Sequence, residues 1–413
     1  MTMHTTGLDR GPQAPALVGT GFWTRQLLRF APEVETGSLF LTLPDGRTLR
    51  VRGPRPGPSA RLEVLHPRFA RRMLTGGTVG VGAAYIDGDF RSPDLAALVE
   101  WAARNDRLGE TLLKAAAPLR LLGRAWHAAR RNSRTGSRRN IASHYDLGNA
   151  FYARWLDATM TYSAACFAHP DEPLEAAQTR KYRLMAQAAG VTPDSHVLEI
   201  GTGWGGFACF AAAQIGCRVT TITISRAQAE YAARRVQAEG LSEKVEVLLC
   251  DYREVTGRFD SIVSIEMLEA VGESYWPVYF NRLRELLMPG GAAAIQTILI
   301  ADRHFPAYRR NPDFIQRYIF PGGMLPSPGA LRREIAGAGL TLRDTATFGL
   351  DYARTLAEWR QRFLSAWPEG EVQGFDRGFD QRFRRMWEFY LAYCEGGFRA
   401  GRIDVARLRL DAA

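Results

Sequence analysis

Residue types suited to group transfer gather first at residues 197–206, VLEIGTGWGG. A short run of buried-strand character leads into a turn where Gly201, Gly203 and Gly206 satisfy G-x-G-x-x-G, a weak signal alone. A dinucleotide site also needs an acid about 20 residues further on, at the end of the second strand, to bind a ribose hydroxyl. That strand ends Thr221-Ile222-Thr223-Ile224-Ser225 without a carboxylate, so a nicotinamide cofactor loses its anchor. An adenosyl sulfonium is served better. Glu199 can orient the loop or take the cofactor's ammonium, and Asp251-Tyr252 offers a carboxylate for the adenine amine and a ring for its face. Pro289-Gly290-Gly291 turns into a late strand. S-adenosyl-L-methionine carries no phosphate, so the loop must allow close backbone approach rather than form an anion nest. These residues predict a loop that holds S-adenosyl-L-methionine; the plain alternative is a Rossmann-like turn with no ligand.

The elements that must position these residues begin near 183. HVLEI, RVTTITI, VEVLLC, DSIVSIEM and AAAIQTILI read as strands, and SRAQAEYAARRVQAEG as one of the helices between them. That rhythm predicts an α/β fold, a doubly wound Rossmann-like sheet of the class I methyltransferase kind. Residues 1–20 lack periodicity and read as a loose tail. GSLFLTLPDGRTLRVRG reads as a β-hairpin around Pro44-Asp45-Gly46, and DLAALVEWAARN as an amphipathic helix. A small α+β domain is therefore expected over 20–115. Residues 116–143 carry a run of arginines, Arg120 to Arg139, with no acid until Asp146. This stretch is either a solvated linker or a basic amphipathic arm lying on anionic head groups. The methyltransferase domain is expected over 144–413, with DQRFRRMWEFYLAYCEGGF closing the chain against the sheet.

The chain has 413 residues, 46% of them hydrophobic, and a formal net charge of +10. The excess of base fits nucleic acid or a phospholipid surface, or serves solubility alone. Five cysteines show no C-x-x-C spacing, which argues against zinc or a redox dithiol and fits a reducing cytosol. No apolar leader precedes a cleavage site, and no uncharged run reaches the roughly 18 residues of a spanning helix. The expectation is a cytoplasmic protein that visits a membrane surface.

Ten blocks in one order carry a closer likeness. HYDLGNAFYARWLD, TYSAACF, VLEIGTGWGGF, TITISRAQ, DYRE, MLEAVG, QTI, FIQRYIFPGGMLPS, DYARTLAEW and AYCEGGFR resemble the cyclopropane-fatty-acyl-phospholipid synthases and related S-adenosylmethionine-dependent lipid methyltransferases. The likeness runs from about 140 to 410, and GVGAAYIDGDF extends it more faintly into the N-terminal domain. By matching position it implies cofactor contacts at Tyr162, Ser163, the 197–205 loop with Glu199, Gly201, Gly203, Trp204 and Gly205, then Thr223, Ser225 and Gln228, and Asp251, Tyr252 and Arg253. It also implies a small anion, bicarbonate, contacted by Cys166, Glu269, Gln296, Tyr352 and the Ile298 backbone. Cys394 matches a position assigned as the family's nucleophile. Dimerisation through the N-terminal domain is implied by the resemblance alone. One departure stands out. The family motif reads His-Thr-Ile where this chain has Gln296-Thr297-Ile298, and Ala270 replaces another frequent histidine. Glutamine can bond an anion but cannot carry a proton near neutral pH.

The expected chemistry is transfer of a one-carbon unit to the cis double bond of an unsaturated phospholipid acyl chain. An alkene is a poor nucleophile, and methylation leaves a cation that needs a dry, aromatic-lined site. Trp204, Tyr252, Phe314, Tyr318, Phe320 and Tyr352 are candidate wall residues. A base, such as an anion oriented by Glu269 and Tyr352, must then take a proton. Proton loss from the new methyl closes a cyclopropane ring, and loss from a neighbouring carbon leaves a branched alkene. Each residue has a plain alternative: Cys166 and Cys394 as small buried residues, Glu269 as a helix-start carboxylate, Tyr352 as packing, and His144 as a helix cap. Cys394 shares a helical face with Trp387 and Tyr390 and the reaction needs no covalent enzyme intermediate, which favours packing. Two other classes compete. Nucleic-acid modification is permitted by charge, but MLEAVG stands where an N/D-P-P-Y/F motif would lie, so no nucleic-acid partner is expected. A non-catalytic lipid-binding homologue is opposed by the intact glycine loop.

Overall fold

The computed structural model describes residues 5–8, 21–29, 31–105, 147–367 and 379–412. The basic stretch 116–143 and His144 lie outside the described residues. Two compact units emerge. One comprises Met1–Trp126, Asn311–Tyr318 and Phe363–Arg402, and the other His127–Arg310, Ile319–Arg362 and Ile403–Ala413.

In the first unit, β1 (Thr5–Leu8) falls inside the stretch expected to be a loose tail and pairs parallel with β3 (Thr48–Arg52). The expected hairpin forms from β2 (Thr36–Thr42) and β3. Its turn closes through Leu43 N–H to Arg47 O at 2.8 Å and Gly46 N–H to Leu43 O at 2.9 Å. Gly46 has φ +84°, which a residue without Cβ adopts freely. β4 (Arg55–Val64) and β5 (Phe90–Arg91) complete the order β1-β3-β2-β4-β5. The helix Leu95–Arg104 starts as its sequence suggests, with Asp94 Oδ1 accepting from Ala97 N–H at 3.0 Å. The C-terminal helix Gln381–Arg399 corrects an expectation. It packs on Leu95–Arg104 in this unit, where a Cβ on Gly396 would stand 2.8 Å from Ala96 O. Glycine at that point is what lets the two backbones meet.

In the second unit the five strands read from sequence all form: β6 (His196–Ile200), β7 (Arg218–Thr223), β8 (Val245–Leu249), β9 (Phe259–Ile265) and β10 (Leu287–Ile300). Two more, β11 (Leu340–Thr347) and β12 (Ile403–Ala412), give the order β11-β12-β10-β9-β6-β7-β8. β8 to β10 run parallel, and β12 is antiparallel to both neighbours. Successive residues alternate between two apolar clusters. Leu198, Ile262 and Ile295 pack with Trp276 and Phe280, whereas Val197, Val263 and Ala294 pack with Met185 and Phe207. Both faces of the central strands are therefore covered, which is why those strands read as continuous apolar runs. From β6 the chain builds outward to β8, then returns to β9 on β6's other side. Open α/β sheets place their ligands in the crevice at such a switch point, here beyond the carboxyl ends of β6 and β9. Among the described residues no helix is long and apolar enough to cross a membrane.

Candidate active site

The glycine loop leaves β6 into that crevice. Gly201, Gly203 and Gly205 have φ of +104°, +53° and +83°, values that favour residues without a side chain. Gly201 and Thr202 N–H both donate to Ile222 O, at 3.0 and 3.1 Å, pinning the loop to β7. A Cβ on Gly203 would meet no protein atom within 4 Å, so this backbone faces open space that a ligand can enter. Glu199 is buried, and its Oε2 accepts from Thr221 Oγ1 at 2.6 Å. Burial pushes it up to about 8 against the pull of that bond and of Lys181. Beyond β7, Thr223 Oγ1 donates to Gln228 Oε1 at 2.9 Å, and Ser225 caps the helix Arg226–Ala238. Beyond β8, Asp251 is gripped by Arg253 through Nε at 2.8 Å and Nη2 at 2.6 Å. The carboxylate expected to meet the adenine amine is thus already oriented by a two-pronged arginine. The neighbouring Tyr252 hydroxyl is buried with no protein partner. Open backbone, an oriented carboxylate and an unsatisfied buried hydroxyl suit S-adenosyl-L-methionine.

A carboxylate cluster sits at the ends of β9 and β10. Its centre is Glu266, which the sequence reading passed over as part of DSIVSIEM. Its backbone has φ +50°, unusual for a residue with a Cβ and held only where surroundings over-determine it. Here they do. Glu266 Oε1 accepts from Ala164 N–H and Gln296 Nε2, both at 2.8 Å, and Oε2 accepts from Tyr352 Oη at 2.6 Å. Burial pushes this carboxyl up, while those three donors and the Lys181 charge pull it back. Glu269 is built differently. Its Oε1 accepts from Ile298 N–H at 2.5 Å and Thr297 Oγ1 at 3.0 Å, and its buried Oε2 has no protein partner. Burial, then the charge of Glu266, pushes it up to about 8. Burial thus raises both carboxyls, but Glu266 has three donors that favour its ionised form, whereas one oxygen of Glu269 has none. Gln296 and Tyr352, expected to bind a separate anion with Glu269, both donate to Glu266. Cys166 lies beside the cluster, its thiol pushed up to about 12 by burial, and stays protonated.

A chain of rings runs through the same unit: Trp204–Tyr152 at 4.9 Å, Tyr152–Tyr162 at 5.4 Å, Tyr162–Trp359 at 5.4 Å and Trp359–Tyr352 at 6.2 Å between centroids. It links the glycine loop to Glu266 through Tyr352. Of the expected wall residues, Trp204 and Tyr352 belong to it, and Tyr252 stacks edgewise on Tyr279 instead. Phe314 and Tyr318 lie in the first unit, where Phe314 packs on Phe389 at 4.7 Å. Tyr152, Trp155 and Trp359 carry aromatic positions that sequence reasoning missed. Cys394 was favoured as a packing residue in the sequence. It lies on the helix Gln381–Arg399, which belongs to the first unit.

Comparison with known proteins agrees with this geometry. The family model described as mycolic acid cyclopropane synthetase matches residues 132–408. Tuberculostearic acid methyltransferase UfaA1 of Mycobacterium tuberculosis is 42% identical over 410 residues, covering 96% of this chain and 92% of that protein. Cyclopropane-fatty-acyl-phospholipid synthase of Escherichia coli (strain K12) is 35% identical over 352 residues, 84% of this chain and 86% of its own. The crystal structure of mycolic acid cyclopropane synthase CmaA1 complexed with SAH and CTAB superposes with TM-score 0.59 at 27% identity, covering 66% of this chain and 98% of that one. The matched span 132–408 contains the glycine loop, both carboxyls and the ring chain.

Proposed function

The chain belongs to the mycolic acid cyclopropane synthetase family, and from that premise we propose that it methylates the cis double bond of an unsaturated phospholipid acyl chain, with Glu266 as the base. It is an S-adenosylmethionine-dependent lipid methyltransferase. The bound cofactor supplies an electrophilic methyl carbon on a sulfonium. Residues of the glycine loop, with Ser225, Gln228 and the Asp251–Arg253 turn, would hold it.

Once the alkene has gained a methyl, positive charge lies on the acyl chain. The faces of Tyr162, Trp359 and Tyr352 offset that charge, each by about 0.5–2 kcal/mol, in a setting that keeps water away. The charge is relieved when a C–H bond of the new methyl breaks and its electron pair closes a ring or, after a hydride shift along the chain, forms the C=C bond of a methylene branch. The proton passes to a carboxylate oxygen of Glu266. The observation that carries this reading is the convergence of Gln296, Tyr352 and Ala164 N–H on one fixed carboxylate. Glu266 occupies the role that a bound bicarbonate would otherwise serve.

A methyl- or methylene-branched product is favoured over a ring. Gln296 replaces the histidine of ring-forming relatives, and the 42% identical relative is named a methyltransferase. The net charge of +10 suits the head groups of a membrane face, with the protein peripherally bound on the cytoplasmic side. Expression in a cell rich in monounsaturated phospholipids tests the reading. Acyl chains should gain the mass of one CH2, and NMR of the product should show a terminal =CH2 branch on the chain. Unchanged lipids in cells holding a folded, SAH-binding protein would refute it.

A further inference from the structure

The helix Leu174–Ala188 buries two polar side chains one turn apart, Gln178 and Lys181, both almost wholly inaccessible. A buried ammonium is costly unless its surroundings need it, and a methionine would fill the same space without that penalty. Lys181 Nζ donates to Ser163 Oγ at 2.6 Å and lies 4.4 Å from the centre of the Tyr182 ring. Gln178 Nε2 donates to Ser163 O at 2.9 Å. The next residues are held as tightly: Ala164 N–H by Glu266 at 2.8 Å, Ala165 N–H by Thr355 Oγ1 at 3.2 Å and Cys166 N–H by Ala177 O at 3.3 Å. Lys181 and Glu266 thus grip adjacent residues of one short segment.

We propose that Lys181 is a positioning residue that fixes Ser163 at the cofactor site, beside the Ala164 N–H that holds Glu266, and that its buried positive charge favours the anionic form of that carboxyl. The inference rests on Glu266 being the base and Ser163 a cofactor contact. The charged and titratable groups around the pair are consistent with it. Lys181 is acted on by Glu266, Cys166, Asp157 and Glu199. Glu266 faces Tyr352 and Gln296, and its charge in turn reaches Glu269 and Cys166. Burial draws the ammonium down to about 8 while Glu266 holds it up, so it remains charged at neutral pH, where the base must work. Removing that charge makes Glu266 harder to ionise and moves the acid limb of the pH–rate profile upward.

Three variants separate the two roles. Lys181→Met removes bond and charge, Lys181→Gln keeps a donor for Ser163 without charge, and Gln178→Leu removes only the other grip on Ser163. Initial rates with monounsaturated phospholipid vesicles between about pH 6 and 9 and SAH affinity by calorimetry are the readouts. Both Lys181 variants should shift the acid limb up by about one unit and recover rate at the alkaline end. Lys181→Met should also weaken SAH binding more than about tenfold, and Gln178→Leu should lower the rate equally at every pH. A folded, SAH-binding Lys181→Gln with an unmoved limb overturns the electrostatic role. Unaltered SAH affinity in Lys181→Met overturns the positioning role, and if that variant fails to fold, Ser163→Ala must show the same weakened affinity. A wild-type protein inactive on every lipid tested would instead sink the functional reading, while the affinity measurements still judge the Lys181–Ser163 contact.

Discussion

Replacing each carboxyl of the pair by its amide should have unequal consequences. Glu266 accepts three donors and is the one placed to take a proton. An amide there cannot, and general-base catalysis is worth about 10²–10⁴ in rate, or roughly 3–5 kcal/mol of barrier. Glu266→Gln should therefore lower turnover by that factor while leaving SAH affinity within about threefold, since the loop contacts are untouched. Glu269, pushed up to about 8, is largely protonated near neutral pH. Its amide is a near copy of that state and still accepts from Ile298 N–H and Thr297 Oγ1. Glu269→Gln should cost less than about tenfold. Tyr352→Phe removes the 2.6 Å bond to Glu266 Oε2. A hydrogen bond to a charged group is worth about 1.5–3 kcal/mol, so the acid limb should move up by about one to two units. Incorporation of labelled methyl groups into phospholipid vesicles measures all three. Rates should not depend on added bicarbonate in the wild type, and a small carboxylate should partly rescue Glu266→Gln. The reverse order, with Glu269→Gln dead and Glu266→Gln nearly normal, would refute the assignment of the base.

Three further outcomes follow from the geometry. Gly203→Ala places a Cβ in space free of protein atoms at φ +53°; stability should fall by only about 1–2 kcal/mol in thermal unfolding, whereas SAH affinity should fall more than about tenfold if the cofactor lies there. Glu199 and Glu269 are both pushed by burial to about 8 from an ordinary 4.5, so each is neutral when folded and ionised when unfolded between those values. The stability this confers is full below about pH 4.5 and is lost as pH rises through 8; the Tm of the cofactor-free protein should fall over that window, and a Glu199→Gln variant should flatten the slope. Cys394→Ala should retain wild-type turnover, because the reaction needs no covalent enzyme intermediate; a dead, folded variant would return that thiol to the reaction.

The central strands were legible because both faces of a parallel sheet are buried, so HVLEI and its partners stand out as uninterrupted apolar runs. The glycine loop was legible for a related reason: positive φ at three nearby positions leaves the chain little choice of residue. β11 and β12 were not, since LTLRDTAT and IDVARLRLDA mix apolar with polar and charged residues, and their pairing is set by partners far away in sequence. The helix Gln381–Arg399 was legible as a helix but not in its destination, because periodicity fixes which face is apolar and says nothing of what covers it.

The site divides along the same line. Glu199 lies at the carboxyl end of β6, and Asp251 and Glu269 follow β8 and β9, so position in the fold alone marked them. Glu266 stands one residue beyond β9, and only a left-handed turn of its backbone aims it at Gln296 and Tyr352. Read in a row it is an acid inside a strand. Lys181 sits in QTRKYR, which reads as a solvated face, and nothing local tells that its ammonium is enclosed while Arg180 and Arg183 beside it are not. The aromatic chain needs residues 152, 162, 204, 352 and 359 at once. The departure that was legible, Gln296 for histidine, becomes intelligible only with Glu266 in place. A histidine there could shuttle a proton for a bound anion; once the anion is a carboxylate of the chain itself, a neutral donor that holds it still is the more useful neighbour.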